Sequence, residues 1–197
     1  FFSLIAYTCE IIYNSFLRSI YKFDKWHVIS PHHSRIYKTM VVNMVNNNIS
    51  ASDIVIEIGC GLGDIISRVH ADNRYGYDIS NEVLKAAMFK NKKNIKFHNG
   101  SILEVASNAT ISNISVLILV NSTHSIDGYT IVNDIKKLNK CKPIKYIIVD
   151  ELYKTTSKQP IFHKSSVYFN NFAKEIERQD DMESRNLVLF KVSNSSA

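Results

Sequence analysis

Glycines and an acidic residue are concentrated in one short stretch of the chain. The β-branched run at 54–56 precedes this stretch and predicts a buried strand, and the apolar spacing over 64–69 predicts a helix after it. Glycines in such a turn let the backbone approach a ligand where a Cβ atom would collide with it. We therefore predict a small-molecule site at this strand end. Its residues are Glu57, Gly59, Cys60, Gly61 and Gly63.

The spacing of these glycines separates two classes of turn. Dinucleotide-binding turns follow G-x-G-x-x-G, with the third glycine where the helix packs on the sheet. Here the third glycine, Gly63, comes one residue earlier, and Glu57 stands two residues before the first glycine. This pattern resembles motif I of the class I S-adenosylmethionine-dependent methyltransferases. The resemblance implies S-adenosyl-L-methionine as the cofactor, and it makes Cys60 a small residue in a tight turn rather than a nucleophile.

A second acidic residue, Asp78, ends the predicted strand 74–77, about 20 residues after Glu57. One strand end, a short helix and a return strand use about that length, so the spacing fits a single βαβ unit. In the methyltransferase family, the acid at this position accepts hydrogen bonds from both ribose hydroxyls. The resemblance therefore assigns the ribose to Asp78, with Ile79 beside it in the cofactor site.

The turn after the third predicted strand, 95–98, corresponds to the part of the family site that usually holds the adenine. The family commonly has an acid there, which bonds the adenine amino group. In this chain Ser101 occupies that position, and its hydroxyl can still form a hydrogen bond. The adenine contacts implied by the resemblance are Gly100, Ser101 and Ile102.

Polar residues follow the fourth predicted strand, 115–120, where the family places groups beside the acceptor. Asn121 is implied as a further cofactor residue, and His124 is the candidate general base because imidazole titrates near neutral pH. A histidine that only caps or packs the loop is an equal alternative. The Asn/Asp-Pro-Pro-aromatic sequence of methyltransferases that act on amino groups of DNA and some proteins is missing, which argues against those acceptors.

Trp26 and His27 open a second unusual cluster, which continues to His32 and His33 before a helix predicted from about 34 to 46. Domains of the family often cover their site with N-terminal additions, so we predict that Trp26 and His27 form a lid over cofactor and acceptor. An aromatic anchor before a proline-started helix is the alternative. The spacing His-x₄-His-His is a poor ligand set, and we predict no metal.

The segment 1–20 is apolar but is interrupted by Glu10, Asn14 and Arg18. A membrane span needs ~20 nearly uncharged residues, and a signal peptide needs a basic start and a small-residue cleavage site. Neither pattern fits. We predict an amphipathic helix that packs on the domain or on a second copy, which would make a homodimer.

Helical and strand-like segments alternate from residue 54 onward, which predicts a mostly parallel sheet with helices on both faces. Two further strands, 172–178 and 186–192, are joined by a polar turn. Such a hairpin closes the seven-stranded methyltransferase sheet with an antiparallel strand. We therefore predict an α/β fold in which 1–49 is an N-terminal helical segment or lid and 50–197 is a Rossmann-like methyltransferase domain.

The amino-acid composition of the chain indicates which partners and compartment to expect. The chain has 197 residues and a net charge of +6, but its lysines are scattered rather than clustered as a nucleic-acid footprint would require. Three cysteines without a C-x-x-C pair suggest neither zinc nor disulfides, and the reducing cytoplasm is the natural compartment.

The expected function is methyl transfer to a small molecule. The N-terminal segment loosely resembles small bacterial methyltransferases of surface-polysaccharide synthesis, which suggests a sugar or a polysaccharide precursor as the acceptor. Methylation of RNA, favoured by the basic balance, is one alternative. A cofactor-binding protein without transfer activity, favoured by the missing acid at Ser101, is another.

Overall fold

The computed structural model describes residues 2–29, 35–91, 94–153 and 165–193. The helices in these segments are α1 (Phe2–Tyr21), α2 (Trp26–Ile29), α3 (Ile36–Asn46), α4 (Asn81–Lys90), α5 (Ile102–Ser107), α6 (Gly128–Cys141) and α7 (Ser165–Tyr168). The strands are β1 (Ile54–Ile58), β2 (Asn73–Asp78), β3 (Ile95–Asn99), β4 (Ile114–Leu119), β5 (Ile144–Leu152), β6 (Ala173–Asp180) and β7 (Arg185–Val192).

The strands form one sheet in the order β3-β2-β1-β4-β5-β7-β6. β1 to β5 are parallel to one another, and β7 runs antiparallel between β5 and β6. The chain passes from β1 to one side through β2 and returns to the other side at β4, so their carboxyl ends leave a crevice between them. The predicted seven-stranded α/β fold with an antiparallel hairpin is confirmed.

Helices cover both faces of the sheet, because alternate side chains of each strand point to opposite sides. On one face, Ile56 and Leu117 pack with Ile135 of α6. On the other face, Val55 and Ile118 pack with the apolar side of α3. Helix α3 is therefore part of the hydrophobic core on this face of the sheet.

The helix α1 packs on α2 and α4 through a third apolar cluster that includes Leu17, Leu62 and Val83. In the described parts of the chain, no helix combines the length and the apolarity that a membrane span requires. The contact with α4 brings the N-terminal segment directly beside the glycine turn.

The segment predicted as a helix over 64–69 is wrong in type: the chain there forms turns and a short 3₁₀ helix, Ile66–Arg68. Two side-chain contacts account for this. The carboxylate of Asp64 accepts hydrogen bonds from Lys38 and Lys90. The N–H of Ile66 donates to the carboxylate of Glu57 at 3.0 Å. The helix predicted from about 34 begins at Ile36 among the described residues.

Candidate ligand-binding site

The crevice at the carboxyl ends of β1, β2 and β4 holds a cavity of about 420 Å³, within the range of small-molecule sites. Most of the residues predicted for the cofactor and the lid line this cavity. Those on its lining are Trp26, His27, Glu57, Gly59, Cys60, Gly61, Asp78, Ile79, Gly100, Ser101 and Asn121. Three predicted residues, Gly63, Ile102 and His124, are not on this lining.

The glycine turn brings backbone to the cavity surface. Gly59 and Gly61 have φ values of +68° and +52°, which L-residues rarely adopt. A Cβ atom on Gly59 would overlap the Cβ of Ser122, and one on Gly61 would lie 2.8 Å from Nδ1 of His27. Glycine at both positions therefore keeps the turn close to the loop after β4 and to the predicted lid.

Asp78 connects the second strand to this turn. One carboxylate oxygen accepts a hydrogen bond from the N–H of Gly61 at 2.9 Å, and the other accepts from the N–H of Ser80 at 2.9 Å. The residue is buried yet lines the cavity. A carboxylate fixed in this way retains lone pairs that can accept hydrogen bonds from two neighbouring hydroxyls.

Glu57 is buried at the floor of the cavity. Its Oε2 accepts the bond from Ile66, but burial outweighs this contact and raises the pKa of Glu57 to about 8. The side chain is therefore mostly protonated at neutral pH. The burial of Cys60 in the same turn raises the pKa of its thiol, which disfavours a thiolate nucleophile.

Ser101 lies at the end of the cavity formed by the turn after β3. Its hydroxyl and its backbone N–H both donate to Glu104, each at 2.6 Å, and this pair begins α5. With its proton engaged in this way, the hydroxyl oxygen is oriented to accept a further hydrogen bond. Ile102 follows as the first residue of α5 and is buried.

The segment predicted as a lid is folded over the glycine turn. Asp24 accepts a hydrogen bond from the backbone N–H of Trp26 at 2.7 Å, and its other oxygen lies 3.6 Å from Nε2 of His27. Burial lowers the pKa of His27, despite the carboxylates nearby, so the ring is neutral at pH 7. The sequence analysis did not single out Asp24, which also lines the cavity.

A buried ion network behind the turn was missed by the sequence analysis. Asp64 lies 2.8 Å from Nζ of Lys38 on α3 and 2.8 Å from Nζ of Lys90 on α4, and Lys90 is also 3.4 Å from Glu10 on α1. Burial alone would raise the pKa of Asp64, but the two lysines hold it below its usual range. Each partner stands alone in its own segment, so only the tertiary fold brings them together.

A second buried network lies behind the loop that follows β4. Asp150 accepts a hydrogen bond from the N–H of Asn121 at 2.9 Å, and the same oxygen is 3.0 Å from Nε2 of His124. Its other oxygen accepts from Nη1 of Arg185 at 2.6 Å. His124 is thus a buried partner of Asp150 rather than part of the cavity lining. The buried hydroxyl of Ser122, which lines the cavity, has no hydrogen-bond partner among the described residues.

Within the described segments, no cluster of three His, Cys, Asp or Glu side chains is arranged to hold a metal ion. His32 and His33, which belong to the predicted lid cluster, lie outside those segments.

No protein-family model matches the sequence, and no curated protein matches it significantly. Solved structures do match the fold. The N-methyltransferase NodS from Bradyrhizobium japonicum WM9, in complex with S-adenosyl-L-homocysteine, aligns with a TM-score of 0.68 and 16% identity over 92% of this chain and 98% of NodS.

Two further matches have similar identity. Magnesium protoporphyrin IX methyltransferase ChlM from Synechocystis PCC 6803, with bound S-adenosylmethionine, aligns with a TM-score of 0.60 and 14% identity over 80% of this chain and 78% of ChlM. The methyltransferase domain of a bacterial Hen1 aligns with a TM-score of 0.57 and 14% identity over 80% of this chain and 97% of that domain. The chain therefore has the fold of the class I methyltransferases, as the sequence resemblance implied.

Proposed function

We propose that this chain is an S-adenosylmethionine-dependent methyltransferase. The observation that carries the proposal is the convergence of Glu57, Asp78 and the glycine turn on one cavity at the switch point of the sheet. The similar structures that contain S-adenosylmethionine or S-adenosylhomocysteine support this choice of cofactor.

The lining fits the cofactor. The carboxylate of Asp78 suits two ribose hydroxyls, and Gly59 and Gly61 place backbone on the cavity lining. The oxygen of Ser101 can accept a hydrogen bond from the adenine amino group in place of the usual acid. These residues would hold the cofactor, with Cys60, Ile79, Gly100 and Asn121 completing the site.

The chain's own contribution to the reaction is mainly positional. S-adenosylmethionine, when bound, supplies a methyl group that its sulfonium already activates. The protein must then orient the acceptor and exclude water. His27, whose ring lies against Gly61, and Trp26, which lines the cavity, are the proposed lid.

We propose a small neutral acceptor, such as a sugar hydroxyl. Asp24 and Trp26 place a carboxylate and an indole ring together on the cavity lining, and these groups suit the hydroxyls and the apolar face of a sugar. The lining carries the carboxylates of Asp24 and Asp78, and its Lys38 is ion-paired with Asp64. This charge distribution disfavours a phosphate-rich acceptor such as RNA.

Isothermal titration with S-adenosylmethionine and S-adenosylhomocysteine tests cofactor binding directly. We expect both to bind. Absence of binding by both at high concentration would refute the proposal. Transfer of an isotopically labelled methyl group to a panel of sugars, nucleotide sugars and RNA then tests the acceptor class, and labelling of RNA alone would contradict a sugar.

A cofactor-binding protein without transfer activity is the second candidate, because His124 is buried beside Asp150 and away from the lining. His124 as a general base stays a prediction. If it is the base, His124→Ala should lower turnover by ~10²–10⁴-fold with little change in cofactor affinity. Cofactor binding without methylation of any acceptor would favour the second candidate.

A further inference from the structure

Asn121 has an unusual backbone conformation at the point where the chain leaves β4. Its φ is +61°, which is uncommon for a residue other than glycine. Asn121 and the next residue, Ser122, both line the cavity. The conformation of Asn121 therefore sets the direction in which this part of the cavity wall continues.

Two contacts hold Asn121 in this conformation. Its backbone N–H donates to Oδ1 of Asp150 at 2.9 Å, and its side-chain oxygen accepts from Nη1 of Arg185 at 3.3 Å. Asp150 and Arg185 are themselves joined by a 2.6 Å hydrogen bond, with side chains 0% and 7% exposed. A buried pair of this kind fixes its neighbours because neither charge can leave its partner without a large penalty.

The same pair reaches α3. The guanidinium of Arg185 lies 4.0 Å from the ring centre of Tyr37, which also lines the cavity. Burial alone would raise the pKa of Asp150, but His124 and Arg185 lower it, so the carboxylate stays ionised at neutral pH. Asp150 and Arg185 are not part of the lining and act on it through Asn121 and Tyr37.

We propose that Asp150 and Arg185 are positioning residues, which hold Asn121 in its left-handed turn and join the wall after β4 to α3. The proposal rests on the proposed function, since it assumes that this wall belongs to a methyl-donor site.

Amide hydrogen exchange measured by NMR tests the contact without any ligand. In Asp150→Ala the Asn121 amide loses its acceptor and should exchange at least about tenfold faster than in the wild type. The matched control is Asp53→Ala. Asp53 accepts hydrogen bonds from Ser50 and Ser115 near the opposite end of β4. Unchanged exchange in Asp150→Ala, or equal acceleration in both variants, would overturn the proposal.

A second comparison does not depend on the folding of Asp150→Ala. Titration with S-adenosylhomocysteine should give about fivefold weaker binding for Asn121→Ala than for Asn121→Gly, because only glycine adopts a left-handed φ without steric penalty. Equal affinities of the two variants would overturn the positioning role and leave the proposed function intact. If the wild type does not bind S-adenosylhomocysteine, the proposed function fails, and the exchange of the Asn121 amide still decides the positioning role.

Discussion

Asp78 is the residue whose removal should affect the cofactor most directly. Asp78→Ala removes the proposed ribose acceptor and also the bond that holds the N–H of Gly61. Hydrogen bonds to a charged group contribute ~1.5–3 kcal/mol each, so affinity for S-adenosylhomocysteine should fall at least about tenfold. Titration calorimetry measures this loss. The exposed Asp72, just before β2, gives the control Asp72→Ala. An unchanged affinity in Asp78→Ala would exclude Asp78 as the ribose acid.

Gly61 makes a sharper test of the motif. Gly61→Val forces a side chain into left-handed backbone and against the ring of His27, so we expect loss of cofactor binding with the fold largely retained. The second variant Gly61→Val/His27→Ala removes the collision but not the backbone strain. It should recover melting temperature more than binding. Normal affinity in Gly61→Val, measured by titration, would refute the assignment of the turn.

Glu57 predicts a pH dependence of stability. Its pKa is raised to about 8 in the folded chain, whereas the unfolded carboxyl titrates near its usual 4.5. The folded state therefore binds the extra proton between these pH values, and the contribution of Glu57 to stability should fall as pH rises from about 5 to 8. Urea unfolding at pH 5, 6.5 and 8 measures this slope.

Two variants isolate the contribution of Glu57. Glu57→Gln imitates the protonated form, so it should flatten the slope and be more stable than the wild type at pH 8. Glu183→Gln, in an exposed turn, should keep the wild-type slope. An identical slope in Glu57→Gln and the wild type would contradict the raised pKa.

At the scale of elements, Asp64 connects helices α3 and α4 to the glycine turn. Asp64→Asn removes the buried carboxylate that Lys38 and Lys90 share, and breaking a buried ion pair destabilises by ~3–5 kcal/mol. Asp134 forms an exposed ion pair with Lys137, so Asp134→Asn should cost less than about 1 kcal/mol. Denaturant unfolding compares the two. Similar losses in both variants would show that the Asp64 network is not structurally important.

Secondary-structure elements differ in how far their own sequence determines them. The strands and α4 were predictable because their apolar residues repeat with a local period, and in the structure Ser80 caps α4 through the N–H of Val83. The conformation of the segment after Gly63 was not predictable in this way. Hydrogen bonds that join this segment to Glu57 and to Lys90 determine it. Local periodicity does not contain those contacts.

The residues of the site likewise differ in how far the sequence reveals them. Glycines and strand-end acids are recognisable because the turn that needs them is a few residues long. The role of Asp150 depends on the register of β5 with β7, which pairs Asp150 with Leu187. A single acid at the end of one strand gives no sequence signal for an arginine at the start of another.

At the scale of the whole molecule, α1 presents an exposed apolar face. Leu4, Ile12 and Phe16 are each more than half exposed. The homodimer expected from the sequence stays a prediction. If α1 forms it, Phe16→Glu should convert dimer to monomer in analytical ultracentrifugation, whereas Ile176→Glu on the edge strand β6 should not. A wild-type chain that sediments only as a monomer would contradict the prediction.

The contact between Tyr37 and Arg185 has a consequence for biosynthesis. The two residues are separated by about 150 positions, yet they meet in the cavity wall. At translation rates of ~5–20 residues per second, Tyr37 leaves the ribosome on the order of 10–30 s before its partner exists. During that interval the apolar side of α3 lacks the β7 surface against which it packs. The nascent chain therefore carries exposed apolar surface and an incomplete cavity wall until β7 has been made.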